Sequence, residues 1–547
     1  MDPATVPDLL HAVPLQRIDV EQTRLAVTMA FAGGSSGGLF ADALETAKLA
    51  PTSWEPAGFA GDLFLERFVA GSFKIQIGRE QPVLSVKHLV RLIAHPPADP
   101  AVIEFRREIL AELVSAQALR KALEQLYVAM CRLRALLENT SGIENWDPNR
   151  RRLDVLSVLK EIFDTTRGAF APARSGLRRL ADWGARIQSS ESYRSLSDLL
   201  RYDDHRATLS LNVSLGADGH IRRFEITSIQ EDSENPFASS ILRRWLAKAE
   251  LFVRGYRFSD REVMARLVDA VFGGLESELV SIVQLLGDLE FYLGALGFRD
   301  RAEAAGLAVC LPELALPEAP RRLSGLFNPL LLMSGTAPVP CDLCSERHAS
   351  TWLVTGPNSG GKTRLLQSLG IAQVLAQSGV FVNARAGAVA LSSGLVVSLI
   401  QEVKPDQAEG RLGTELLRIR QLFERLPPGA MVLLDELCSG TNPSEGEEIF
   451  ELVLRMLNRL DPQAFITTHF LAFAARLERE QKIPNLEFFQ VELGADRRAT
   501  YQFVPGVAKT SLAGHTAERL GVTSEQLMGL IEKNLQRRAA PATGERS

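Results

Sequence analysis

The sequence predicts a multidomain protein of two architectures: a long α-helical part carrying one short β-hairpin, and an α/β domain built around a phosphate-binding loop. Three observations predict it. Apolar residues recur at helical spacing through much of the chain before position 300. Between Thr208 and Thr227 the pattern switches to alternation at period two. After position 340, short apolar runs end in glycine-rich or acidic residues, as buried parallel strands with functional tips do.

The phosphate-binding loop is Gly356-Pro357-Asn358-Ser359-Gly360-Gly361-Lys362-Thr363, which fits GxxxxGK[ST]. It follows the apolar run Trp352-Leu-Val354 and precedes Leu365, Leu366, Leu369, Ile371, Val374 and Leu375 at helical spacing. A strand therefore hands over to a helix at the loop. Backbone N–H groups there would face a polyphosphate, Lys362 would reach its outer phosphates and the Thr363 hydroxyl would ligate Mg²⁺.

A second strand signal supports the first. Met431-Val-Leu-Leu434 ends in Asp435-Glu436, two adjacent carboxylates that are costly at a strand tip unless they face a cation or solvent. In that setting Asp435 would hold the metal shell, and Glu436 would orient and polarise the attacking water. The run Ala464 to Thr468 ends at His469, placed to hydrogen-bond a terminal phosphate. The expected cofactors are ATP and Mg²⁺, and the expected activity is ATP hydrolysis.

The wording of these motifs resembles one family. TGPNSGGKT, then DELCSGTNPSEG from Asp435 to Gly446, then TTHF, is similar to the MutS family of DNA-repair ATPases. Gly506 to Ala517 is similar to that family's closing GxxxxSxxxHxA segment, and Asn328-Pro329 and Val339-Pro-Cys-Asp342 fall where the family has His-Pro and VPND-like turns. The resemblance is specific from about Leu323 to Leu530. GGKT, Ala376 to Val382 and Asn442 to Gly446 resemble the paralogue branch that lacks mismatch-reading domains. That branch usually ends in a small Smr nuclease domain, which is not expected here because a polar tail follows Glu532.

What the resemblance implies is an ABC-type ATPase working as a homodimer, each subunit lending a signature loop to the other's nucleotide. The usual loop, STFxxEM, corresponds to Gly410-Arg411-Leu-Gly-Thr414-Glu415-Leu416. Glu415 matches, but the usual serine falls on Gly410. A glycine still presents a backbone N–H, Arg411 can supply charge, and Thr414 can substitute if the register shifts. Slow turnover is expected from the change.

The family layout also implies domains: an N-terminal variable segment (1–75), helical core and first lever (76–205), a hairpin as a reduced clamp (206–230), second lever and return to core (231–318), the ATPase domain (319–520), and a C-terminal helix with polar tail (521–547). Within these, helices are expected over Val102 to Leu137 and Leu153 to Leu200. They resume from Pro236 to about Leu296, with Ser259-Asp-Arg-Glu262 as a capping box. Phe64-Leu-Glu66 has the form of a mismatch wedge, but its apolar surroundings suit packing.

Composition bounds the partners. At 547 residues the chain is too long for one core. A net charge of −5 gives no bulk basic character, so positive charge for nucleic acid would have to be local. Arg150 to Arg152, Arg178-Arg179, Arg222-Arg223 and Arg243-Arg244 are the local clusters. The hairpin arginines suit phosphate contacts, or the hairpin packs on its own helices. No apolar run long enough to span a bilayer is expected, nor a secretory signal, so the protein is expected in the cytoplasm, with reduced thiols. Cys341-Asp-Leu-Cys344, with His348 nearby, is a single CxxC and weak as a zinc site. DNA of unusual structure is the expected partner. The alternatives are a ribosomal or other RNA–protein particle, and a regulatory scaffold that binds ATP with little turnover.

Overall fold

The computed structural model of the chain describes residues 7–35, 37–79, 81–138, 148–203, 207–215, 221–231, 260–399, 411–438, 442–509 and 522–539. It divides into two units. One comprises Met1–Thr52, Val69–Asp300 and Ser378–Val380; the other comprises Ser53–Phe68, Arg301–Gln377 and Phe381–Ser547.

The first unit is helical. It runs through α1 (Val20–Gly33), α2 (Leu39–Glu45), the end of α3 (Leu65–Ser72), α4 (Val86–Ala94), α5 (Pro100–Ser115), α6 (Gln117–Glu138), α7 (Pro148–Ala169), α8 (Arg178–Ser189) and α9 (Glu191–Asp203). A hairpin of β1 (Ala207–Leu215) and β2 (Ile221–Glu231) follows, then α10 (Asp260–Gly273) and α11 (Glu276–Ala304). Local chemistry sets several ends. Asp19 accepts from Gln22 N at 2.9 Å to cap α1, and Asp99 caps α5 just ahead of Pro100 at the first helical position.

Two expected continuous helices are broken. The run from Val102 to Leu137 bends at Ala116 (φ −112°, ψ 86°), between α5 and α6. Its apolar stripe nevertheless stays buried on both sides, at Ile109, Leu110, Leu113, Leu119, Leu123 and Leu126. The run from Leu153 to Leu200 is three helices. Pro172 and Gly176 lie in the first break, and a Cβ on Gly176 would collide with the Phe105 ring. The hairpin pairs antiparallel from Ala207↔Glu231 to Leu215↔Ile221, with irregularities after Ser210 and Ser214. The helix expected from Pro236, and the Ser259 end of its capping box, lie outside the described residues up to position 259.

One sequence expectation is corrected by α11. By length and composition this helix is apolar enough to cross a bilayer, with a mean hydropathy of 1.5 over its best window, but that window is wholly buried. Its rare polar groups are anchors. Asp288 accepts from Leu9 N at 3.0 Å and pairs with the Arg17 guanidinium; Gln284 accepts from Arg17 N at 2.7 Å; Glu290 accepts from Ser85 N at 2.9 Å. Burial pushes the Asp288 carboxyl up to about 7.

Several arginine clusters serve packing. Arg151 donates to the carbonyls of Ala30, Phe31 and Leu136, and Arg152 to Ala32 and Asp269. Arg179 donates to Asp8, His11 and Ala12 carbonyls and lies over Phe105 at 4.4 Å. Cations thus meet the orphan carbonyls at the end of α1, as the helix dipole favours. The side chains of Arg222 and Arg223, and both residues Arg243 and Arg244, are outside the described atoms.

The second unit is α/β. Its elements are β3 (Glu313–Ala315), β4 (Arg321–Leu326), α12 (Pro329–Met333), β5 (Cys341–Ser345), β6 (Thr351–Thr355), α13 (Lys362–Ser378), β7 (Ala386–Ala390) and β8 (Leu395–Ser398). After these come α14 (Arg411–Arg425), β9 (Met431–Leu434), α15 (Pro443–Leu457), β10 (Gln463–Thr467), α16 (Leu471–Glu480), β11 (Leu486–Leu493), β12 (Ala499–Pro505) and α17 (Ser524–Ala539). A six-stranded sheet has the order β12-β11-β6-β10-β9-β8, parallel except for β12, and a smaller sheet has the order β3-β7-β4-β5. Strands β6, β9 and β10 are buried throughout, which explains their unbroken apolar runs. Trp352 stacks on Phe489 at 3.7 Å between centroids, and Leu434, Phe450, Ile466 and Phe473 form the core beneath α15 and α16.

The segment Ser53–Phe68 belongs to this unit although more than 300 positions of chain separate it from its partners. Trp54 Nε1 donates to Ser392 O at 3.0 Å, Ser53 Oγ to Ser393 O, and Leu399 N to Asp62 Oδ2 at 2.6 Å.

On the helical side, Gly297 of α11 sits against backbone, where an added Cβ would collide with the Lys74 carbonyl. Gly297→Ala should therefore destabilise the unit by about 1–3 kcal/mol through overpacking. The check is a lower urea midpoint at unchanged slope.

Candidate active site

The site begins with sheet register. Thr467 pairs with Val354 across β10 and β6, and Ile466 pairs with Leu434 across β10 and β9. Three parallel strands therefore end together, and their carboxyl ends open on one crevice, where ligands bind in open α/β sheets.

The turn after β6 needs its glycines. Gly356 has φ 142°, and a Cβ there would stand 2.6 Å from Val491 Cγ2. Ser359 (φ 70°) and Gly361 (φ 89°) also lie in the left-handed region, and Gly360 N donates to Pro357 O at 3.0 Å. Thr355 pins the start of the loop, its hydroxyl donating to Phe489 O at 3.2 Å and accepting from Ala508 N at 2.9 Å. Gly356 to Gly361 thus curl around the N-terminus of α13, with Asn358 to Thr363 facing a cleft of about 500 Å³.

Lys362 opens α13 and is buried. Its ammonium donates to Gly356 O at 3.0 Å and Pro357 O at 3.2 Å, which holds it across the loop. Burial lowers its pKa, against a smaller opposing effect from Glu436 and Asp435. Thr363 Oγ1 donates to Asp435 Oδ2 at 2.5 Å. Thr467 Oγ1 donates to Asp435 Oδ1 and accepts from Glu436 N at 2.9 Å. Asp435 N in turn donates to Ser398 O at 3.0 Å. Glu436 adopts φ 52°, a left-handed turn that breaks the strand direction, and it lines the same cleft as Lys362.

The other expected residues are less closely gathered. His469 is exposed just beyond the buried Thr468, its ring 4.4 Å from that of Phe470, and it is not among the residues lining the cleft. Arg411 and Glu415 fall in the first turns of α14; their side chains, and the whole of Gly410, are outside the described atoms. Cys341 and Cys344 point to opposite faces of β5, and burial pushes the Cys341 thiol up to about 12.

Sequence reasoning missed the far wall. Tyr501 on β12 has φ 61° and is 45% exposed, and its Cδ1 lies 3.1 Å from where a Cβ on Gly361 would stand. With Val339 and Phe503 it gives the cleft a flat apolar side opposite the loop's polar one. No motif marks Tyr501; its only sequence signal is an aromatic in an alternating strand.

These residues fit a nucleoside polyphosphate with a divalent cation. Side chains are excluded where phosphates would approach backbone, one buried ammonium stands at the loop, and a hydroxyl–carboxylate pair offers hard oxygen ligands. The comparison with known proteins points the same way: the family model described as MutS domain V matches residues 352–535.

Over these residues the chain resembles the MutS family. Endonuclease MutS2 of Streptococcus mutans is 32% identical over 273 residues, covering 49% of this chain and 33% of that protein. Endonuclease MutS2 of Thermus thermophilus is 34% identical over 176 residues, covering 32% of this chain and 23% of that protein. The chain thus spans about a third of the length of the curated relatives it matches. The match contains the loop, the β9 tip and Tyr501, while Val339 and the other lining residues before position 352 lie outside it.

The lowered pKa of Lys362 gives a pH dependence with a definite sign. A charged ammonium holds phosphate and a neutral amine does not, so ADP affinity should fall as pH rises through that depressed value. Titrations between about pH 7 and pH 10, below the ordinary lysine pKa, test this. A flat profile would show that the ammonium stays charged throughout.

Proposed function

We propose that this MutS-family protein is a Mg²⁺-dependent ATPase. The observation that carries the proposal is the Thr363–Asp435 hydrogen bond beside the buried Lys362, which joins the loop and the β9 tip into one polar site. The backbone of Gly356 to Gly361 orients the phosphates, Lys362 neutralises the outer ones, and Tyr501 and Val339 flank the base. Thr363 and Asp435 hold the cation, which supplies charge to the phosphate oxygens when bound. Glu436, turned off the strand axis, orients water and accepts its proton. His469 assists from the neighbouring tip as a phosphate sensor.

The family supports a DNA repair or recombination setting, and the proposal extends it. Two copies close across composite sites, with Gly410, Arg411 and Glu415 contributed in trans, and the β6–α13 loop carries the P-loop role. Hydrolysis reopens the dimer and moves the helical arms as levers, the hairpin serving as a reduced clamp. Branched or otherwise structured DNA is the proposed substrate, handled in the cytoplasm.

ATPase rates of the wild type, Lys362→Ala and Glu436→Gln test the proposal. Lys362→Ala should lose tight nucleotide binding. Glu436→Gln should keep it while turnover falls by about 10²–10⁴-fold, the usual worth of a positioned base. Undiminished hydrolysis by Glu436→Gln would overturn the role given to that residue. Four-way-junction DNA should change the wild-type rate in a salt-sensitive way. Indifference to every DNA, with intact basal turnover, would redirect the search to ribosomal particles.

A further inference from the structure

Beside the main cleft the α/β unit has a second pocket, of about 380 Å³, with no role in the scheme above. It shares Leu331, Thr363 and Arg364 with the cleft. Phe64, Arg67 and Gln367 are among the residues that complete it, so the N-terminal segment Ser53–Phe68 supplies part of its wall.

Phe64 is placed against its own preferences. Its φ is 51°, a left-handed conformation that is strained for a non-glycine residue, and it stays 38% exposed while Leu63, Leu65 and Phe68 are buried. Phe64 N donates to Gly61 O at 2.9 Å and Leu65 N to Ala60 O at 3.1 Å, so the turn is held by backbone. The Asp62–Leu399 hydrogen bond fixes the same turn to the chain just past β8. Arg67 is exposed and makes no ion pair among the described residues. Arg364 is exposed too and spends one donor on Gln367 Oε1 at 2.8 Å, of the five a guanidinium has. Among the described residues no carboxylate lines the pocket.

Two guanidinium groups and an exposed ring held at strain, with no carboxylate among the described lining residues, suit an anion attached to a flat ring. We propose that this pocket is an accessory nucleotide site, its phosphate held by Arg67 and Arg364 and its base laid against Phe64. The volume is that of a small-ligand pocket and suits one nucleotide, either free or as one unit of a single strand. The proposal goes beyond the ATPase reading and does not depend on hydrolysis.

The test uses the full chain carrying Lys362→Ala, which weakens the main site. AMP, a ten-nucleotide thymidine strand, inorganic phosphate and a glutamate-rich peptide are titrated by calorimetry, with and without Arg67→Ala or Phe64→Leu. Circular dichroism confirms that each variant is folded. The expected result is nucleotide binding that weakens about tenfold with Arg67→Ala, the worth of one charge-assisted hydrogen bond, and also weakens with Phe64→Leu. Binding of AMP identifies a free nucleotide as ligand; binding of the strand alone identifies nucleic acid. Phosphate should bind more weakly than either, since it brings no ring. Nucleotide affinities unmoved by both substitutions would overturn the proposal, as would peptide binding with the same arginine dependence and no nucleotide binding. Failure of the wild type to hydrolyse ATP would sink the ATPase reading and leave this result standing.

Discussion

Asp435 accepts hydrogen bonds from Thr363 and Thr467, and through these bonds the ends of β6, β9 and β10 become one object. Each strand is buried along its length, so only its tip has polar groups to satisfy. The carboxylate satisfies them at once: one oxygen serves the helix that follows the loop, the other serves the neighbouring strand, whose hydroxyl also accepts from Glu436 N. A slip of one residue in either pairing would turn these side chains to the opposite face. Register, set by the apolar faces, is therefore what the polar chemistry depends on.

Around that node the backbone is bent where function needs it. Gly356, Ser359, Gly361, Glu436 and Tyr501 all take positive φ, and all line or adjoin the same cleft. Only two of the five are glycine, so the other three are held there by their surroundings. Lys362 is similar in kind: it is buried, with its pKa lowered, and two loop carbonyls compensate it in part. Backbone strain and a partly desolvated cation are therefore gathered at one cleft.

The helical unit solves a different problem. An apolar helix such as α11 is easily buried but says little about which segment covers which stretch of it. The polar groups supply that information: Asp288, Gln284 and Glu290 each engage one particular backbone N–H at residues 9, 17 and 85. A buried acceptor left without its donor is costly, so these bonds fix the order in which the N-terminal chain is laid down. Arginines that looked available for nucleic acid are spent on backbone carbonyls: Arg151 and Arg152 on the end of α1, and Arg179 on the chain ahead of it.

The sequence by itself determined which residues of the loop and the β9 tip gather at the cleft. The order strand, glycine turn, Lys362, Thr363, and then a buried strand ending in Asp435-Glu436, is local information, and local sterics suffice to read it. It also determined the hairpin, because period-two alternation admits few other structures. It did not show the bend at Ala116, an ordinary helix residue, although the breaks at Pro172–Gly176 and at Ser190, whose hydroxyl accepts from Tyr193 N to cap α9, do carry local signals. Nor did it show Tyr501 as a wall of the cleft, or the Ser53–Phe68 strap as part of the α/β unit. Those pairings join residues some 140 to 340 positions apart and rest on side-chain fit and single hydrogen bonds. Neither leaves a periodic trace in the chain, so only the tertiary structure could decide them.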